Sequence, residues 1–267
     1  MPNDSNYINV LQLTDTHLFK AKGGKLLGLD TDHCLDKIVE HILEHEQPDL
    51  VLATGDLTHD ASPAAYARFK NSMARLDVPV YCLPGNHDES KLLMNALNDG
   101  SIYSQKSLLT SNGWRILFLD TTIPGSEAGH LKQEELNFVE KSLSTETNHP
   151  VLICLHHPLA HIASEWLDSM AIDNGDELLT IAEQHQQVRA VICGHIHQEL
   201  QTQHQNVQLL GTPSTCVQFL PRSKGFAVEE IPPGYRRLKL FDNGEMETDI
   251  VRLNEIPGEI TMNEKGY

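Results

Sequence analysis

The chain has 267 residues with 37 acidic and 20 basic side chains, which gives a formal net charge of −17 with neutral histidines. This charge excludes most nucleic-acid binders, because their affinity depends on lysine and arginine contacts to phosphates. The apolar fraction of 40% is enough for a sizeable core and excludes a largely disordered chain. We therefore expect a folded protein without a nucleic-acid partner, in which any anionic substrate needs a local concentration of positive charge.

The cysteines and the N-terminal segment bear on the cell compartment. Five cysteines, an odd number without CxxC spacing, are typical of reduced thiols in a cytoplasmic protein. The N-terminal stretch MPNDSNYINVLQLTD has neither a basic start nor a long apolar run, so we expect no signal peptide. The apolar runs are also too short to span a membrane. We expect a cytoplasmic protein without a membrane partner, and a monomer and a homodimer both remain open.

Short apolar runs predict strands, and patterns of helical spacing lie between them. The strands are expected at residues 8–13, 50–54, 80–83, 115–120, 151–155 and 190–193. Helices are expected over residues 32–46, 62–76, 132–143 and 175–187. Ser62 is the expected N-cap of the second helix, with Pro63 at its first position. The alternation predicts an α/β protein with largely parallel pairing in the core.

The pattern changes beyond about residue 200. Residues 206–219 and 235–253 have the composition of strands, and the second segment predicts a hairpin around Asp242, Asn243 and Gly244. Residues 221–235 are rich in proline and glycine and predict a long loop. We expect one domain over residues 1–267, in which the part after about residue 200 supplies strands of a second or mixed sheet and a loop-rich cap.

Side chains of metal-binding type follow several of the predicted strands. The carboxyl ends of strands in an α/β sheet face one crevice, so groups far apart in the chain can converge there. The candidates are Asp15, His17, Asp56, Asn86, His87, Asp88, His156, His157, His195 and His197. Imidazole, carboxylate and amide donors suit Fe, Mn, Zn or Co. The number of donors favours two ions that share a carboxylate over a single ion.

The block order DTH, GD, GNHD, HHP and GHIH resembles the calcineurin-like metallophosphoesterase superfamily. The longer strings LQLTDTHLF, ATGDL, LPGNHD, CGHIHQEL and TPSTCVQF, with the terminal Gly266 and Tyr267, are similar to its branch of bacterial class III 3',5'-cyclic-AMP phosphodiesterases. The resemblance implies a mixed α/β fold, a four-layer α/β/β/α sandwich of two mixed sheets with a two-metal site at the strand ends. It also implies hydrolysis of cyclic AMP to 5'-AMP by a hydroxide that bridges the metals.

The resemblance further implies a role for each matching residue. The first metal is bound by Asp15, His17 and His197, the second by Asn86, His156 and His195, and Asp56 bridges the two. The catalytic residues are His87, which binds no metal, and Asp56. The substrate contacts are His17, Asp56, Asn86, His87 and His197. Iron and manganese are the metals implied first, with zinc and cobalt as alternatives, and His157 is left as a neighbour of the site.

Other residues near these blocks have two interpretations each. Asp88 either orients His87 or caps the helix that follows. The hydroxyls of Thr212, Ser214 and Thr215 either belong to a plain turn or contact the nucleotide.

The remaining candidates favour a structural interpretation. Residues 20–28, KAKGGKLLG, lack phosphate-loop spacing and favour a flexible loop near the mouth of the site, where Lys20, Lys22 and Lys25 can still attract phosphate. His59 and His161 favour exposed loop positions over the rim of the pocket. Further histidines are expected on the surface: His33, His41, His45, His149, His185 and His204.

Two other functions compete with cyclic-AMP hydrolysis. The first keeps the site and changes the substrate to glycerophosphodiesters, 2',3'-cyclic nucleotides or dinucleoside polyphosphates. The second is a non-enzymatic scaffold of the same fold, which would require the loss of metal ligands, and every ligand block is present. A nuclease is disfavoured because the chain has no basic stripe.

Overall fold

The computed structural model describes residues 6–97, 100–145 and 147–261. Gly266 and Tyr267, which contribute to the resemblance, lie outside the described residues. The strands are β1 (Tyr7–Leu13), β2 (Lys25–Leu26), β3 (Leu29–Asp30), β4 (Leu50–Thr54), β5 (Val80–Leu83), β6 (Ile102–Tyr103), β7 (Ser107–Leu109), β8 (Arg115–Phe118), β9 (Val151–Cys154), β10 (Val188–Cys193), β11 (Leu200–His204), β12 (Val207–Gly211), β13 (Gln218–Phe219), β14 (Val228–Glu229), β15 (Gly234–Phe241) and β16 (Met246–Arg252). The helices are α1 (Thr31–His45), α2 (Pro63–Ala74), α3 (Ser90–Leu97), α4 (Gln133–Thr145), α5 (Glu165–Asp168) and α6 (Gly175–Gln184).

Two six-stranded mixed sheets make up the centre of the described structure. The first has the order β16-β15-β1-β4-β5-β6, in which the last four strands are parallel and β15 is antiparallel to both β1 and β16. The second has the order β11-β12-β10-β9-β8-β7, with β7 and β11 as antiparallel edges around four parallel strands. The predicted parallel core and mixed sheets are both present.

The sheets pack against each other and carry helices on their outer faces. Val10, Leu52 and Leu152 belong to the apolar cluster between the sheets. Phe69 of α2 lies in the cluster that covers the first sheet, and Val139 of α4 lies in the one that covers the second. Because successive residues of a strand face opposite sides, strands covered on both faces are apolar throughout. The result is the four-layer α/β/β/α sandwich implied by the resemblance.

The predicted element boundaries agree closely with the structure where strands are buried. The predictions for β4 and β5 match residue for residue, whereas β8 and β9 end earlier than predicted, at Phe118 and Cys154. One further backbone hydrogen bond follows each end, from Leu119 to Cys154 at 2.9 Å and from Leu155 to Ile192 at 3.1 Å. Ser62 caps α2 by accepting a hydrogen bond from the backbone nitrogen of Ala65 at 3.4 Å, and Pro63 is the first residue of that helix.

The segment beyond residue 200 is divided between the two sheets. β11 and β12 extend the second sheet, and the β15–β16 hairpin instead joins the first sheet through β1, with Tyr7 opposite Phe241. The expected loop at 221–235 contains β14, which pairs with β13. Likewise Lys25 lies in β2, so residues 20–28 are not wholly loop. Both loop predictions were wrong at these short strands, because two-residue strands carry no periodic signal.

The described helices and histidines test two further expectations. No helix in the described ranges is long and apolar enough to cross a membrane. His33 and His45 are exposed as expected. The surface prediction was wrong for the half-buried histidines His41, His149, His185 and His204. His41, for example, lies on α1 with its Nδ1 atom 3.1 Å from the hydroxyl oxygen of Tyr235.

Candidate active site

The strand-end residues share an unusual backbone conformation. Asp15, His17, Asp56, His195 and His197 all have positive φ angles, between 45° and 65°. Such left-handed conformations are uncommon for residues other than glycine, and they collect where function rather than stability determines the backbone. All of them lie just beyond the carboxyl ends of β1, β4 or β10.

Glycines let the loops that carry these residues approach each other. A Cβ atom on Gly85 would lie 2.2 Å from Oδ1 of Asp56, and one on Gly194 would lie 2.8 Å from Oδ2 of Asp15. A side chain at either position would displace a carboxylate. The glycines of the GNHD and GHIH blocks are therefore required by the packing of the site.

One buried group of donors combines residues from both sheets. Asp15, His17 and His197 place one ligand atom each within 4.8 Å of one another. Nε2 of His17, which follows β1, lies 3.2 Å from Nε2 of His197, which follows β10. The same nitrogen of His197 lies 3.3 Å from Oδ1 of Asp15. The predicted ligands of the first metal therefore converge.

The second group of donors lies next to the first. Oδ1 of Asn86 is 3.1 Å from both Nε2 of His156 and Nδ1 of His195. Oδ2 of Asp56 is 3.3 Å from Nε2 of His156 and 3.7 Å from Nε2 of His17. The Asp56 carboxylate thus lies between the two groups, as a shared ligand must.

Backbone carbonyls fix the orientation of several imidazoles. Nδ1 of His156 is 2.9 Å from the carbonyl oxygen of Thr54, and Nδ1 of His197 is 2.8 Å from that of Val217. A carbonyl can only accept, so each ring carries a proton on Nδ1, and in the neutral form this is its only ring N–H proton. Nε2 is then the nitrogen with a lone pair, and in both residues it faces the site.

The buried charges of the site depend on one another. Burial lowers the pKa of His17 and of His195 well below its usual value, so both rings are neutral. Burial alone would raise the pKa of Asp56, but His156, His87 and His17 hold it well below its usual range. Burial would lower the pKa of His156, but the Asp56 carboxylate, 3.3 Å from its Nε2 atom, raises it to about 9. The site therefore attracts positive charge to the space beside Asp56.

The donor set fits metal ions. Oδ2 of Asp56 is buried and has no hydrogen-bond partner among the described residues. Such an acceptor is costly to bury unless a partner is supplied. The nitrogens and oxygens around it are the donors that borderline divalent metals take. These groups can therefore hold cations.

The structure places His87 and Asp88 on the loop between β5 and α3. The backbone nitrogen of His87 donates to Oδ1 of Asp56 at 2.9 Å, and its ring centroid lies 5.0 Å from that of His17. The Asp88 carboxylate accepts from the backbone nitrogens of Gly85 and Leu57 at 3.0 and 3.1 Å, and burial raises its pKa to about 6. Asp88 thus connects two loops of the site, a role that neither prediction named, and its two predicted roles stay predictions.

The hydroxyls of Thr212 and Ser214 in the TPST segment form hydrogen bonds to other groups of the protein. Oγ1 of Thr212 donates to Oε1 of Gln12 at 2.6 Å, and Oγ of Ser214 donates to the carbonyl oxygen of Asp15 at 2.8 Å. Both hydroxyls are fully buried. These contacts favour the interpretation as a turn, in which Ser214 supports the backbone of Asp15.

Of three further histidines, one is exposed and two contact candidate ligands of the site. His161 has an exposed side chain, as expected. His157 is buried, with Nδ1 2.7 Å from Oγ1 of Thr121 and its ring centroid 4.7 Å from that of His195. The prediction of an exposed His59 was wrong, because this residue is half-buried and its Nδ1 atom lies 3.4 Å from Nδ1 of His17. A single histidine in a loop carries no sequence pattern that would have revealed this contact.

A model of the calcineurin-like phosphoesterase family matches residues 8–199 of the chain. The chain belongs to this family. The match contains all the predicted ligand blocks, and membership implies divalent metal ions, which the His and Asp groups described above could bind.

Named relatives match nearly the whole chain. A Pseudomonas aeruginosa protein named 3',5'-cyclic adenosine monophosphate phosphodiesterase CpdA is 37% identical over 97% of this chain and 94% of its own length. A protein of the same name from Escherichia coli K12 is 37% identical, with coverage of 97% and 95%. The crystal structure of a dimetal phosphatase from Danio rerio shares the fold, with a TM-score of 0.63 at 15% identity over 90% of this chain and 98% of that one.

Proposed function

We propose that the protein hydrolyses 3',5'-cyclic AMP to 5'-AMP at the site where the two sheets meet. The observation that carries this function is the position of the Asp56 carboxylate between two donor groups, one of which contains His17 and the other His156. Shared ligation of this kind is the basis of two-metal phosphoester hydrolysis. The names of the relatives, which match almost the whole chain, support cyclic AMP as the substrate.

The two donor groups support a proposal of two bound ions. We assign Asp15, His17 and His197 to the first ion, Asn86, His156 and His195 to the second, and Asp56 to both. Iron and manganese are favoured, and zinc and cobalt are alternatives, because mixed nitrogen and oxygen donors accept all four. When bound, the ions lower the pKa of a water molecule to near neutrality and offset the charge of the phosphate.

The side chains around the ions then position the diester. His17, Asp56, Asn86, His87 and His197 surround the reacting phosphate. The acidic surface repels an anion, so the phosphate is attracted only where the ions and imidazoles concentrate positive charge. The cyclic diester carries one negative charge and the product carries two.

His87 is assigned to the leaving oxygen. Its Nδ1 atom lies 3.0 Å from the carbonyl oxygen of His59, which fixes the proton on that nitrogen. A proton on the other nitrogen, Nε2, can then be donated to O3' of the ribose as the P–O bond breaks. An alkoxide is a poor leaving group, so protonation of this oxygen accelerates the reaction. Proton donation by a positioned imidazole typically increases the rate by a factor of roughly 10²–10⁴.

The five cysteines support a reducing compartment for this activity. Cys34, Cys82, Cys154, Cys193 and Cys216 are all buried and free. Thiols that stay reduced are typical of the cytoplasm, which we propose as the location of the protein.

A panel of phosphodiesters tests the proposed substrate. Cyclic AMP, 2',3'-cyclic AMP, a glycerophosphodiester and a dinucleoside polyphosphate are supplied at equal concentration with limiting metal-loaded enzyme, and the products are identified by chromatography. The proposal predicts that kcat/KM is highest for 3',5'-cyclic AMP, with 5'-AMP as the product. A higher value for any other diester would replace the proposed substrate.

A further inference from the structure

His59 lies at the meeting point of a metal-ligand candidate and the proposed proton donor. It follows Asp56 by three residues, on the loop after β4, and its ring is half-buried. On one side its Nδ1 atom faces Nδ1 of His17 at 3.4 Å. On another side its ring stacks on that of His87, with centroids 4.6 Å apart and planes 21° apart.

The contact with His17 bears on metal binding. Nε2 of His17 points toward Asp56 and His197, at 3.7 and 3.2 Å. A neutral imidazole that ligates through Nε2 carries its proton on Nδ1, and here that proton points at Nδ1 of His59. Histidine ligands generally donate their second N–H to an acceptor, most often a carboxylate, carbonyl or water, which fixes the ring and increases its basicity. An imidazole nitrogen with a lone pair is an acceptor as well. His59 is therefore placed to accept the proton of a ligand.

The contact with His87 bears on the leaving group. The carbonyl oxygen of His59 accepts from Nδ1 of His87, and the stacked ring limits rotation of the His87 plane. The ring of Phe19 contacts His59 as well, with centroids 4.3 Å apart. Phe19 is itself held tightly, because a Cβ atom on Gly24 would lie 2.4 Å from its Cβ. The plane of the proposed proton donor is thus set by a supported stack of rings.

We propose that His59 is a positioning residue that orients His17 for metal binding through its Nδ1 atom and orients His87 for proton donation through its ring. The roles of His17 and His87 in this assignment rest on the proposed function. The two links use different parts of one side chain, so substitutions can separate them.

Two variants divide the side chain between its links. His59→Phe keeps a ring to stack on His87 and removes the nitrogen that faces His17. His59→Gln keeps an acceptor for His17 and removes the ring. We expect the phenylalanine variant to bind Mn²⁺ about 10–100-fold more weakly, the usual effect of removing a partner of a metal ligand. We expect the glutamine variant to keep most of its Mn²⁺ affinity.

The second link, between the ring of His59 and His87, is tested with two substrates that differ in their leaving group. Bis(p-nitrophenyl) phosphate releases a nitrophenolate that needs little protonation, whereas cyclic AMP releases an alkoxide. At saturating Mn²⁺ the glutamine variant should lose about tenfold more kcat on cyclic AMP than on the nitrophenyl ester, within the range for a misplaced proton donor. The phenylalanine variant should lose the same factor in kcat on both substrates. In a His87→Ala background the glutamine substitution should add nothing to the difference between substrates, because coupled residues act as one unit.

The decisive experiment measures Mn²⁺ affinity by titration and kcat on both substrates for these variants, with His33→Phe as the control. His33 is exposed on α1, and its variant should match the wild type. Unchanged Mn²⁺ affinity in His59→Phe, or equal losses on both substrates in His59→Gln, would overturn the proposal. A wild type that binds Mn²⁺ and leaves cyclic AMP intact would instead refute the proposed function, and the Mn²⁺ titrations would still decide the link to His17.

Discussion

Nε2 of His17 and Nε2 of His197 lie 3.2 Å apart in the buried site, although 180 residues separate them in the chain. His17 follows β1 of the first sheet, and His197 follows β10 of the second. Two nitrogens at this distance need a proton or a cation between them, because their lone pairs otherwise repel. A metal ion bound here would therefore join the two sheets.

Removal of metal should accordingly destabilise the whole fold. A ligand that binds the native state alone raises stability in proportion to the logarithm of its concentration. We expect chelation to lower Tm by several degrees, about the change expected for 1–3 kcal/mol in a chain of this size. Added Mn²⁺ should restore Tm in a concentration-dependent way. Scanning calorimetry checks this, and a Tm independent of metal would argue against ions between the sheets.

Substitution of the shared carboxylate should affect both ions. Asp56→Asn keeps the shape of the side chain but removes the charge that both donor groups face. We expect the purified variant to contain less than half of the wild-type metal and to lose most of its activity. Asp77→Asn is the matched control, because Asp77 is exposed and its φ of 54° suits asparagine. Elemental analysis of both variants decides, and full loading of the Asp56 variant would show that the carboxylate is not shared.

Metal binding should release a proton from His156. Asp56 raises the pKa of His156 to about 9, so this ring is protonated at neutral pH in the metal-free protein. His17 and His195 have lowered pKa values and are already neutral. Binding at Nε2 must expel the His156 proton, so we expect release of about one proton per chain from these three histidines below pH 9, and none above.

Calorimetric metal titrations in buffers of different ionisation enthalpy measure this release. The apparent metal affinity should rise with pH up to about 9 and then level off. Proton release that stays the same on both sides of that pH would show that His156 is not the group that titrates.

Sequence patterns predicted the strands and the candidate metal donors at their ends, because both follow from local rules. The assignment of these donors to two ions came from the family resemblance instead. Strands covered on both faces are continuous apolar runs, as in Leu50–Thr54, and ligands follow directly where such strands end. The partner of β1 could not be predicted in this way. β15 lies more than 200 residues downstream, and no local rule assigns it to the first sheet rather than the second.

The supporting residues of the site were harder to predict than its ligands. The Asp88 carboxylate accepts hydrogen bonds from the backbone nitrogens of Gly85 and Leu57. Every residue except proline has a backbone N–H, so the sequence does not show which of them lies near a given side chain. His59 lies beside His17 because two loops meet, 42 residues apart in the chain. Loop positions of this kind depend on packing between elements, which periodicity does not encode.

His87 should act in the transition state rather than in metal binding. His87→Ala should retain its metal and bind substrate about as well, but lose roughly 10²–10⁴ in kcat on cyclic AMP, the range for a positioned proton donor. The loss on bis(p-nitrophenyl) phosphate should be much smaller. Steady-state kinetics with both substrates and elemental analysis check this. Equal losses would assign His87 to the phosphate oxygens, and loss of metal would make it a ligand.

The most direct measurement is hydrolysis of cyclic AMP in heavy-oxygen water, with the products analysed by mass spectrometry. Attack of water on phosphorus, with departure of the ribose 3' oxygen, is the central chemical claim. It predicts 5'-AMP as the product, with one heavy oxygen on its phosphate and none on its ribose. Label on the ribose, or 3'-AMP as the main product, would contradict the proposed chemistry.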